Sequence, residues 1–271
     1  MLINCQNVSL GYEGHAVVRS ISFTVQNADY LWVVGENGSG KTTLIKGILG
    51  LLNPLEGSIV FCDELARKSF ANASPAGRIG YLSQQSMPSK DFPAGVREVV
   101  LSGNLNGMGL RPFYNLKEKR LAEEAMEQLG IKNLVKKSYS ELSGGQQRRV
   151  LLARAMVSAS AEKTGEGESH VSRRLLVLDE PAAGLDPLVT EEVYELLKTL
   201  NQQAGITIVM VSHDTRAAAL YANRILHMEA GQGFFSDTAD YLKTDRGKKF
   251  FGNAAAAEDL SRASPMAQGG N

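Results

Sequence analysis

Residues 35–42 read GENGSGKT and stand between the apolar run YLWVV and the run TTLIKGILGLL. Gly35, Gly40, Lys41 and Thr42 fit the pattern GxxxxGK[ST], in which a glycine-rich turn joins a buried strand to a helix. The glycines let the backbone turn so that successive N–H groups point inward toward phosphate oxygens. The helix that follows adds the positive end of its dipole. Gly35, Asn37, Gly38, Ser39, Gly40, Lys41, Thr42 and Thr43 thus form a candidate phosphate cradle. Lys41 is expected to reach the β and γ phosphates, and the Thr42 hydroxyl to sit on Mg²⁺.

The rest of the chain alternates strand and helix signals, as an α/β fold requires. Apolar, β-branched stretches at 2–8, 17–25 and 30–34 precede the loop, and short strand candidates at 58–62 and 78–82 follow Pro54 and Gly57. Leu121, Ala125 and Leu129 recur every four residues and predict a helix that stops at Gly130. A second helix is expected to begin at Ser143, whose hydroxyl can cap it. Fully apolar strands at 174–178 and 206–211 flank a helix that opens with Asp186 and Pro187 and stops at Gly205. Strands of that character belong to a parallel sheet covered on both faces. Residues 85–160 read as an inserted helical subdomain, 158–174 as an exposed insertion and 253–271 as a disordered tail, leaving one domain over 1–252.

The run LLVLDE at 175–180 complements the loop. A buried strand delivers Asp179 and Glu180 at its C-terminal end, the edge where ligands bind in open α/β sheets. Asp179 is suited to support Mg²⁺, and Glu180 to orient or deprotonate an attacking water. Together with the loop they indicate a nucleoside triphosphatase, and the absence of an NKxD guanine-reading motif disfavours GTP. With 271 residues, 43% of them hydrophobic, the chain can bury a sizeable core. Lys plus Arg and Asp plus Glu both total 29, so no broad basic footprint for nucleic acid is present. Cys5 and Cys62 are too few for a disulfide framework and lack zinc-site spacing, so free thiols are expected. The N-terminus lacks the pattern of a secretory leader, and no apolar run approaches the ~20 residues of a membrane span.

Residues 142–155, LSGGQQRRVLLARA, narrow the class. Here the sequence resembles the ATP-binding cassette family, whose signature has this form and precedes the acidic strand. The resemblance implies an α/β fold: a P-loop NTPase core with a central, mainly parallel sheet, an N-terminal antiparallel β part and the inserted helical subdomain. It implies ATP and Mg²⁺ as ligands and two copies facing each other head to tail. Ser143, Gly144 and Gly145 would then meet the γ-phosphate held by the other copy, a hydroxyl and close backbone N–H groups at a helix start. Tyr12 resembles the aromatic that stacks on adenine, or simply packs in the core. Gln84 resembles the glutamine that meets Mg²⁺ and the attacking water, with Gln85 a neighbouring alternative. Asp186 resembles the residue that contacts the opposite cassette, or serves only as a helix N-cap. His213 resembles the histidine that hydrogen-bonds the γ-phosphate. His15, His170 and His227 fall outside these motifs and are read as exposed or internally satisfied.

A local resemblance bears on the solute. The segment 86–103, SMPSKDFPAGVREVVLSG, just after Gln84, is similar to the FPxxVxxVVLxG pattern of cassettes from manganese, zinc and iron importers. Phe92 and Pro93 offer an apolar docking surface for a membrane subunit, or pack in the subdomain core. The resemblance therefore implies an ATPase subunit powering uptake of a divalent metal ion. Its partners would be a second copy, integral membrane permease subunits and an extracytoplasmic solute-binding protein, with the chain at the inner face of the membrane. The alternatives are an ATPase subunit for another solute, a soluble ATP-driven clamp and an inactive regulator. The clamp lacks its usual second cassette, coiled coil or basic surface, and Glu180, Gln84 and His213 speak against inactivity.

Overall fold

A computed structural model describes residues 1–61, 79–84, 93–108, 111–160 and 174–252. An antiparallel sheet opens the fold. Its strands β1 (Ile3–Tyr12), β2 (His15–Val25) and β4 (Glu56–Phe61) lie in the order β2-β1-β4. Among the described residues the second sheet has six strands: β3 (Tyr30–Gly35), β5 (Ile79–Leu82), β6 (Leu175–Asp179), β7 (Thr207–Val211), β8 (Arg224–Glu229) and β9 (Gln232–Asp237). Their order is β5-β6-β7-β3-β8-β9, parallel except for β9.

Both faces of this sheet are covered, and the strands alternate between two cores. Leu31 and Val33 of β3 pack with β1, β2 and α1 (Lys41–Ile48), while Tyr30, Trp32 and Val34 face the helical side. Every residue of β3, β6 and β7 is buried, which is why these strands read as continuous apolar runs rather than as alternations. Cys5 lies in the first core as a free thiol, pushed up to about 12 by burial. Cys62 lies outside the described residues.

The helical side is built from α2 (Val96–Leu101), α3 (Leu105–Met108), α4 (Leu116–Gln128), α5 (Gly144–Ala159) and α6 (Pro187–Ala204). Asn115 caps α4 by accepting from Glu118 N–H, and Asp186 caps α6 by accepting from Val189 N–H. Gly205 ends α6 in the left-handed region, as the sequence predicts. Helix α5 approaches β5 very closely: a Cβ on Gly80 would sit 2.2 Å from the Ala155 carbonyl oxygen. Only glycine permits that contact.

The structure moves one boundary and adds elements that sequence patterns leave unassigned. Helix α5 runs through Ala159, so residues 158 and 159, expected in the insertion, are helical; 161–173 lie outside the described residues, as does 253–271. The hairpin β8–β9 and helices α7 (Thr215–Tyr221), α8 (Thr238–Lys243) and α9 (Asp245–Phe251) complete the C-terminal part. His227 is internally satisfied within it: buried in β8, its Nδ1 makes a short hydrogen bond with the Tyr241 hydroxyl. His15 is exposed, and His170 lies outside the described residues.

Candidate active site

Sheet order decides where the chemistry collects. Strands β5, β6, β7 and β3 are neighbours and run parallel, so the segments after their C-terminal ends emerge on one edge. Those segments carry Gln84, Asp179 with Glu180, His213 and the phosphate loop. They line a single cleft of about 240 Å³ with Asn37, Gly38, Gly40, Lys41, Thr42 and Thr43. Gly40 precedes α1 with φ of 104°, a left-handed conformation that a residue with a Cβ rarely adopts. Lys41 is buried, and its Nζ donates to the carbonyls of Gly35 and Glu36, both at 2.8 Å.

The electrostatics are those of an incompletely neutralised acidic pair. Burial raises Asp179, opposed by Lys41 and His213. Burial and the adjacent Asp179 carboxylate push Glu180 up to about 7. Glu180, the residue after β6 ends, has φ of 50°, in the left-handed region. His213 Nε2 lies 3.3 Å from Glu180 Oε1 without the alignment of a hydrogen bond, and that oxygen is buried with no hydrogen-bond partner among the described residues. Burial and then Lys41 lower His213. Ser39 Oγ is likewise buried and unpartnered among the described residues. Buried polar atoms of this kind suit an edge that takes up an external ligand. The hydroxyl of Thr42, the carboxylate of Asp179 and the amide oxygen of Gln84 are hard oxygen donors, a set that fits Mg²⁺.

Other predicted residues stand elsewhere. Ser143 accepts from Gln146 N–H at 3.4 Å as the N-cap of α5, with Gly144 and Gly145 in its first turn; none of the three lines the cleft. Asp186 performs the N-cap role expected of it and is exposed. Tyr12 ends β1, and its hydroxyl accepts from Lys46 Nζ at 3.1 Å, outside the cleft lining. Gln85 and Phe92 lie outside the described residues, and Pro93 is exposed. Sequence reasoning missed Arg148, a cation 1% exposed whose Nη2 donates to the Glu180 carbonyl at 3.3 Å. No sequence signal marks it, because an arginine on a helix reads as a solvated side chain.

Comparison with known proteins fits this geometry. A family model described as ABC transporter matches residues 18–162. The zinc uptake system ATP-binding protein ZurA of Listeria innocua is 35% identical over 226 residues, covering 83% of this chain and 81% of that protein. The phosphonates import ATP-binding protein PhnC of Trichormus variabilis is 32% identical over 251 residues, covering 89% and 95% respectively. Among solved structures, CbiO1 of Clostridium perfringens, part of the ABC transporter complex cbiONQ, has the same fold, with a TM-score of 0.74 at 24% identity over 96% of both chains. A phosphate loop and an acidic strand end on one cleft, in a chain matched by these relatives, place this protein in the ABC transporter family, as an ATP-binding, ATP-hydrolysing cassette.

Proposed function

We propose that the chain, a single nucleotide-binding domain over 1–252, powers uptake of a divalent metal ion by hydrolysing ATP in a dimer of two copies. The observation that carries the reading is the convergence of Lys41, Thr42, Gln84, Asp179, Glu180 and His213 on one cleft. The loop N–H groups and Lys41 bind the phosphate tail, and Tyr12 stacks on adenine. Thr42, Asp179 and Gln84 would hold Mg²⁺, which when bound neutralises charge on the phosphate oxygens. Glu180 Oε1 takes a proton from the attacking water, and His213 Nε2, beside it, donates toward the γ-phosphate.

Ser143, Gly144 and Gly145 do not line their own cleft; in this reading they meet the nucleotide of the second copy, with Asp186 at the same contact. Closure around ATP and reopening after hydrolysis then drive integral permease subunits, with an extracytoplasmic solute-binding protein delivering the ion. Among the described residues no helix is long and apolar enough to cross a membrane. A peripheral position on the cytoplasmic face of the membrane agrees with that.

Metal as the solute is supported by the zinc-uptake relative and by the 92–103 segment, whose Val96–Leu101 forms α2. The phosphonate-import relative makes solute identity the point to test. Vesicles carrying the chain with its cognate permease are expected to accumulate radiolabelled zinc or manganese only with ATP, and not with Lys41→Ala. Uptake of a phosphonate without either metal would overturn the metal assignment.

A further inference from the structure

Arg148 lies in α5, five residues past its N-cap Ser143, and is 1% exposed. Its Nη2 is shared between two backbone carbonyls, Glu180 at 3.3 Å and Ala183 at 3.5 Å. These are the two ends of one turn, because Ala183 N–H also donates to the Glu180 carbonyl at 3.1 Å. Two residues beyond this turn comes Leu185 and then Asp186, the cap of α6. On its other side, Glu180 N–H donates to the Val211 carbonyl at 2.9 Å. The backbone of Glu180 is therefore gripped from β7 through its N–H and from α5 through its carbonyl.

Stability gives no reason for a cation here. Burial disfavours the charge, and Nε and Nη1 have no hydrogen-bond partner among the described residues. A buried charge with unmet donors is commonly neutral or costly relative to an apolar side chain of similar volume. What only a long, charged donor supplies is a strut from α5 to the turn at 180–183, strengthened by its charge.

We propose that Arg148 is a positioning residue for hydrolysis: it ties the helix that begins at Ser143–Gly145 to the backbone of Glu180. Seating of α5 on the nucleotide of one protomer is thereby passed to the water-activating carboxylate of its own cleft. The inference rests on the proposed role of Glu180 and adds a link between the two nucleotides of the dimer. Glu180 is held in a left-handed turn, φ of 50°, and a carboxylate carried on such a turn follows any shift of its own carbonyl.

Steady-state ATP hydrolysis and thermal melting of Arg148→Met, Arg148→Lys and Glu180→Gln test it together. Arg148→Met is expected to lose kcat by about 10- to 100-fold while KM for ATP stays within about twofold and Tm holds or rises. Arg148→Lys, which keeps one charged donor, is expected to regain part of that kcat. Loss of Tm and of ATP affinity in step with kcat, with no recovery in the lysine variant, would mean a packing role only and overturn the proposal. Should the methionine variant fail to fold, the same kcat against KM comparison is read between Arg148→Lys and Arg148→Gln, where the charged variant must be faster. If Glu180→Gln is inactive yet Arg148→Met turns over like the unaltered protein, the strut is wrong and the Glu180 role stands. If Glu180→Gln keeps full turnover, both fall.

Discussion

Glu180 has to be ionised to accept a proton, yet it sits where ionisation is unfavourable. Burial and Asp179 move it from 4.5 to about 7, so the folded protein holds a proton that the unfolded chain releases above about 4.5. The stability linked to this group is fully present below 4.5 and is lost as pH rises through about 7. Replacing the carboxylate with a neutral amide removes the loss. In chelator-treated, nucleotide-free buffer, Glu180→Gln is expected to stabilise the protein by about 3 kcal/mol at pH 8 and to change little at pH 4.5. Denaturant midpoints at the two pH values check this, and an equal effect at both would show that the carboxylate ionises without cost. At this scale the site was legible wherever chemistry demands unusual residues in fixed order: glycines around Lys41, the Asp179–Glu180 pair, histidine after a buried strand. Arg148 was not, because its function depends on a turn 32 residues away that only the folded chain brings near.

Helix α5 shows how a site depends on an element rather than on its motif. Its N-terminus presents Ser143–Gly145, while its middle, Val150 to Val157, is buried among β5, α2 and α4 except at Arg154. Contact with β5 is possible because Gly80 leaves room for the Ala155 carbonyl. A methyl group there must separate the helix from the strand, so Gly80→Ala is expected to cost about 1–3 kcal/mol, as overpacking in a core does. Urea titration measures it; an unchanged midpoint would show that α5 is free to shift. Helix ends were readable because Ser143, Asp186 and Gly205 answer specific needs of unpaired N–H and C=O groups. The β8–β9 hairpin was not readable. Buried His227 interrupts the apolar run of β8, and β9, at the sheet edge, is largely exposed and lacks a strong pattern.

For the whole molecule, the parallel sheet explains why residues as distant in sequence as Lys41 and His213 share a cleft, and why Ser143–Gly145 do not. In the proposed function a second copy brings Ser143–Gly145, which do not line their own cleft, to the nucleotide. The antiparallel sheet covers the first core and brings Val17 of β2 to the cleft, and the C-terminal helices cover the β8 side. The claim on which the mechanism stands is that ATP joins two protomers of 29.3 kDa. Sedimentation of Glu180→Gln with magnesium and ATP measures this most directly. The account predicts a species of twice the protomer mass with ATP and the protomer mass with ADP; a protein that binds ATP and still sediments as a monomer at high concentration would contradict it.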